Sequence, residues 1–174
     1  VGVPAGILTG SRHNAATAVA RALSIVFVSV PPLVTSLALL ILAARTGWLP
    51  VGGFAAGGDA ASTWTTITYL VLPATALALP IAASLERLQS QAMSEALADP
   101  SVLAALARGC SFRRVVWRHA LKLSMKPVLA IYGVIVGSVL SGSFAVEIVT
   151  AWPGLGALMY EGLISRDLYL VAGC

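Results

Sequence analysis

The sequence predicts an all-α fold: a polytopic membrane helical bundle with three complete spans and two partial ones. Three observations carry this. Hydrophobic residues make up 58% of the 174 positions and charged residues only 10%, against roughly a quarter charged in a soluble domain. Charge-poor windows of about 20 residues, the length that crosses a bilayer core, recur along the chain. The basic residues are distributed in a way that orients those windows.

Taken in order, residues 1–9 read as the end of a span. The first complete span is 22–44 (ALSIVFVSVPPLVTSLALLILAA), the second 65–85 (TTITYLVLPATALALPIAASL) and the third 127–149 (PVLAIYGVIVGSVLSGSFAVEIV). The closing Val171-Ala172-Gly173-Cys174 reads as the start of another span. The chain begins with Val1, so an internal fragment of a longer protein is expected. Pro31 and Pro32 in the first span, and Pro73 and Pro80 in the second, each remove a helix hydrogen bond. They serve either as packing kinks or to shape a pathway. In the third span Gly133, Gly137 and Ser141 recur every four residues, a small-residue face suited to close helix approach.

Nine of the eleven basic residues fall in two connections, 11–21 and 86–126, that lie two spans apart and so on one side. The positive-inside rule makes that side cytoplasmic. The opposite side carries Arg45, Asp59, Glu147, Glu161, Arg166 and Asp167. It includes a Gly/Ala-rich stretch from Arg45 to Trp64, with Trp48 and Trp64 as interfacial anchors. It also includes a turn, Trp152-Pro153-Gly154-Leu155-Gly156, leading into a short amphipathic helix at about 155–165 that sits at the outer mouth. No ionisable residue lies near a span centre, which argues against a proton-coupled carrier. Cys110 and Cys174 fit no metal or redox spacing and fall on opposite sides, so two unpaired thiols and no metal site are expected.

The connection 86–126 has the strongest local signals. Asp99 followed by Pro100 starts a helix over 100–108, and Gly109 suits its left-handed stop. Ser111 then caps a second helix over 112–122. There Arg114, Arg118 and Lys122 form a basic stripe for lipid phosphates, with Phe112, Val115, Val116 and His119 on another face. Ala104, Ala105 and Ala107 give the first helix a small, smooth surface, a knob for a groove on a soluble partner. The patch is short and no soluble recognition domain accompanies it, so nucleic acid is not an expected partner.

At this point the residues resemble a known family. Ala104-Ala105, three residues, then Gly109 resembles the cytoplasmic loop signature (E-A-A-x3-G) of permease subunits in ATP-binding-cassette importers. Four ordered blocks are similar to the dipeptide/oligopeptide/nickel branch: GWLPVGGF, LVLPATALALPIAASLERLQ, SVLAALARGCSFRRVVWRHALKLSMKPVLA and AWPGLGALMYEGLISRD. Leu103 stands where the general signature has Glu, Phe112 occupies an often polar position, and His119-Ala120-Leu121-Lys122 replaces the later Ile-x-Leu-Pro.

The resemblance implies a single permease domain over 1–174, running from late in the second of six spans to the start of the sixth. The coupling loop is 86–126, with Ala104, Ala105, Gly109, Cys110 and Ser111 at the docking point. Trp152, Pro153, Gly154 and Gly156 belong to the outer mouth. It also implies a second related permease, two cytoplasmic ATPase subunits and an extracytoplasmic solute-binding protein, in a prokaryotic inner membrane. The mechanism implied is alternating access driven by ATP and Mg bound in the partner subunits. This chain is expected to bind no cofactor and to be no enzyme, and it has no G-x4-G-K-[ST] loop. The leading reading is the permease of an ATP-driven importer of short peptides or similar small solutes. The alternatives are an ion- or proton-coupled carrier or channel, and a membrane anchor.

Overall fold

Proline placement decides where the first helices stop. A computed structural model describes residues 1–12, 14–52 and 63–174. Among them α1 spans Gly2–Ser11, α2 Ala15–Ser29 and α3 Pro32–Thr46. The span expected over 22–44 is thus two helices, not one kinked helix. Pro32 drives the residue before it out of the helical region, and Pro31 sits at φ −59°, ψ 149° as the start of α3. α2 and α3 reach spanning length and hydropathy only as a pair.

α4 runs unbroken from Thr63 to Leu97 through the buried Pro73 and Pro80. Its 35 residues rise about 52 Å, well beyond the roughly 30 Å of a bilayer core. The connection expected to start at residue 86 therefore begins as a continuation of this helix. Next come α5 (Pro100–Ala107), α6 (Phe112–Val115), a π-helical turn (Val116–Ala120) and α7 (Leu121–Ala130). The helix expected to stop at residue 122 runs on to Ala130 and breaks at Ile131. α8 (Tyr132–Thr150) is the third apolar stretch, followed by α9 (Leu155–Ser165) and α10 (Leu168–Gly173). α4 and α8 are each long and apolar enough to cross a membrane. Asp59 and the Gly53-Phe54 end of GWLPVGGF lie outside the described residues.

The chain divides into two units, Val1–Ser29 with Pro80–Val136, and Val30–Leu79 with Gly137–Cys174. In the first, α1 lies directly on α4. A Cβ at Gly6 would stand 2.6 Å from Gln89 Cβ and 2.7 Å from the Glu86 carbonyl oxygen. One at Gly10 would stand 2.7 Å from Met93 Cβ, and one at Gly2 would be 2.8 Å from Leu85 Cβ. Glycine every fourth residue strips one face of α1 to backbone, which lets the helix axes close up. The small-residue face anticipated on the third span behaves differently. Cβ atoms at Gly133 and Gly137 would meet nothing within 4 Å, and only Gly142 is packed, with Leu77 at 3.3 Å. Spacing announces a face able to pack closely, but the partner's shape decides whether it does.

The core of the first unit joins Ile7 of α1, Met93 and Ala96 of α4, Val102 and Ala105 of α5, and Val115, Val116 and Ala120. In the second unit Leu72, Ala76 and Val146 are buried.

Candidate functional site: the α4–α7 connection

Local chemistry builds α5. Asp99 Oδ1 accepts from the Ser101 N–H at 2.8 Å, capping the helix, and Pro100 needs no donor at its first position. The Ser101 hydroxyl and N–H together hold the Asp99 carboxyl below its ordinary range, so the cap stays ionised further into the acid range. At the other end the Cys110 N–H reaches the Ala105 carbonyl at 3.2 Å and the Gly109 N–H reaches Leu106 at 2.9 Å. This paired closure needs a left-handed residue, and Gly109 supplies it at φ +84°. Ser111 takes the extended backbone of an N-cap with no side-chain capping bond; the Val115 N–H bonds its carbonyl at 3.0 Å.

The anticipated docking knob divides. Ala104 is exposed, but Ala105 is 2% exposed and packs inward beside Val102. Ala105 is small where α5 lies close on its own core. The outward face is Ser101, Leu103, Ala104, Ala107 and Arg108, with Leu103 half-exposed. Arg108 Nε donates to the Ala104 carbonyl at 3.2 Å. Cys110 is half-buried against the core and Ser111 is exposed.

The basic stripe also changes. Arg114, Arg118 and Lys122 are all exposed. Arg118 and Lys122 line one cavity together with His119 and Lys126, whereas Arg114 does not line it. His119, expected on the apolar face, thus joins the basic one. His119 stands three residues before Lys122 and seven before Lys126, a spacing that shares one helix face, and a π turn runs over Val116–Ala120.

Sequence reasoning missed a polar cluster beside this connection. Glu86 opens the connection expected to be solvated, yet it is 3% exposed where α4 meets α1. The Thr9 hydroxyl donates to Glu86 Oε1, and the Thr9 carbonyl accepts from Arg21. Gln89, fully buried, donates from Nε2 to Ser124 Oγ at 2.9 Å. Glu86 Oε2, Gln89 Oε1 and Arg21 Nε are buried with no partner among the described residues. The available signal was the spacing of Gly2, Gly6 and Gly10, which marks α1 as a helix packed hard against another.

In the second unit Glu147, placed by its position at the outer end of the third span, works as a cap. Its Oε2 accepts the Gly156 N–H at 2.7 Å in the first turn of α9. The carboxylate approaches so closely that a Cβ at Gly154 would meet Glu147 Oε1 at 2.7 Å, and one at Gly156 would stand 2.6 Å from Phe144 Cα. Gly156 is buried, Trp152 and Gly154 half-buried and Pro153 exposed. Glu147→Ala is expected to fray α9 and destabilise the protein by about 1–2 kcal/mol. Faster amide exchange at Leu155–Leu158 is the measurement.

Over 173 residues, 98% of the chain, it is 31% identical to the oligopeptide transport system permease protein OppB of Salmonella typhimurium. It is 32% identical over the same span to OppB of Escherichia coli K12. With the dipeptide transport system permease protein DppB of Bacillus subtilis it shares 36% identity over 113 residues, 65% of the chain and 37% of that protein. The chain spans about half the length of the curated OppB relatives, 54% in each case. The family described as binding-protein-dependent transport system inner membrane component matches residues 2–173, and the chain belongs to that family.

Proposed function

We propose that this chain is the membrane-embedded part of an ATP-driven importer for short peptides or similar small solutes, and that it acts by alternating access. The observation that carries the reading is α5. It is a short helix capped at both ends and seated on its own core by Val102 and Ala105, with Leu103, Ala104 and Ala107 left facing outward. Such a rigid, small-surfaced projection transmits force from a soluble partner into α4 and α7 without bending. One of two cytoplasmic ATPase subunits grips that face, and their ATP and Mg supply the energy; no cofactor is assigned to this chain. A second related permease completes the pathway, and an extracytoplasmic binding protein delivers the solute. Residues 1–174 act as one permease domain, a reading supported by the family match over residues 2–173. The protein crosses a prokaryotic inner membrane several times with 86–126 on the cytoplasmic side, a placement supported by the nine basic residues clustered there and at 11–21.

Full-length permease co-expressed with its ATPase subunits tests this. Ala104→Glu places a charge on the exposed face and leaves the core intact. It is expected to lower ATPase co-purification about tenfold, with permease abundance unchanged. Undiminished co-purification and uptake would remove α5 as the docking element.

A further inference from the structure

Arg118, His119, Lys122 and Lys126 line one cavity of about 570 Å³, whose remaining walls are Leu123 and Ser101-Val102 of α5. Arg118, Lys122 and Lys126 are exposed, and among the described residues no hydrogen bond or ion pair within 4 Å holds any of their head groups. Asp99, whose carboxyl feels the charge of Lys126, is already committed to the Ser101 N–H and hydroxyl. Three basic side chains therefore converge on one concave site, and none of its lining residues is a carboxylate. Arginine binds a phosphate by a planar fork and lysine as a mobile point charge, so this combination suits a phosphate carrying one or more negative charges.

The surroundings indicate where that phosphate comes from. Trp117 (57% exposed) and Phe112 stand out from the same segment, where they line a second cavity with Arg12 and Arg113, as aromatic side chains do at headgroup depth. Immediately beyond Lys126 the exposed surface turns apolar, through Leu129, Ile131, Tyr132 and Val134. The cavity thus sits where a charged surface gives way to one suited to acyl chains. We propose that it holds the phosphate of an anionic inner-leaflet phospholipid, which ties α7 to the wall formed by α5. The inference rests on the cytoplasmic placement of this connection proposed above, and it adds lipid charge as a requirement for a firmly seated α5.

The test uses the full-length permease with its ATPase partners, purified and examined by native mass spectrometry. Phosphatidylglycerol, phosphatidylcholine and inorganic phosphate are added separately. Phosphatidylglycerol is expected to be retained over phosphatidylcholine. Retention should fall roughly fivefold for each cation removed in Arg118→Gln, Lys122→Gln and Lys126→Gln, while Arg45→Gln, outside the cavity, leaves it unchanged. Equal retention of the two lipids, or retention unaffected by all three variants, overturns the proposal. Binding of inorganic phosphate without lipid retention assigns the cavity to a free phosphorylated solute and also overturns it. ATPase co-purification and uptake are scored on the same preparations. Their presence alongside unchanged lipid retention sinks the lipid site alone, whereas their absence in the wild type sinks the permease reading and leaves the retention result standing.

Discussion

Gly6→Leu is expected to leave little folded protein. The Cβ alone would stand 2.6 Å from Gln89 Cβ and 2.7 Å from the Glu86 carbonyl oxygen, and the second of these is backbone that cannot swing aside. Accommodating a leucine means lifting α1 off α4. That movement uncovers Ile7 from the core and separates the Thr9 hydroxyl from Glu86. Glu86 then loses the one hydrogen bond its carboxylate makes among the described residues, while the packing that buried it is lost too. Overpacking and the broken polar cluster together should destabilise by about 3 kcal/mol or more, a large share of a stability that is typically about 5–15 kcal/mol. Thermal unfolding of detergent-purified protein, followed by size-exclusion chromatography, measures the loss. Leu8→Ala is the control: Leu8 is exposed on the other side of α1 and its truncation should shift little. A normally folded Gly6→Leu protein would show that the α1–α4 contact is not what holds this unit together.

Ala105→Glu should differ from Ala104→Glu far more than adjacent positions usually do. Ala105 is 2% exposed among Met93, Ala96, Val102 and Val115. A carboxylate there has no partner within the core and costs at least about 3 kcal/mol. The outcome expected is loss of folded protein, with uptake lost as a consequence. At Ala104 the same substitution points outward and affects the partner alone. The pair separates two meanings of a small residue in this loop, and equal effects on abundance at both positions would contradict the burial pattern.

Several features were legible in the sequence because they depend on neighbours in the chain. Asp99-Pro100 announces a helix start, Gly109 its left-handed end, and the turn before Leu155 the beginning of α9; all three occur where local chemistry puts them. The long apolar stretches behind α4 and α8 were equally clear, since length and the exclusion of charge are properties of composition. Pro31-Pro32 suggests a kink when each proline is weighed separately. Two in succession stop the helix, since the second forbids the first a helical conformation.

The rest depended on tertiary contacts. Glu86 follows an apolar run, and composition alone treats a charge there as the end of the membrane. It is buried because a glycine-stripped α1 lies against it and Thr9 donates to it. His119 joins Arg118, Lys122 and Lys126 because it stands three and seven residues before the two lysines, on one helix face, and Ser101-Val102 of α5 close that face into a cavity that spacing alone does not contain. By itself the sequence determined that this is an all-helical membrane protein with a basic connection built around a sharply capped short helix. Only the tertiary structure decided which face of that helix is core and which is free, and which charges share one cavity. Caps, turns and hydropathy are set by residues a few positions apart, whereas burial and charge convergence are set by helices the chain brings together from far apart in sequence.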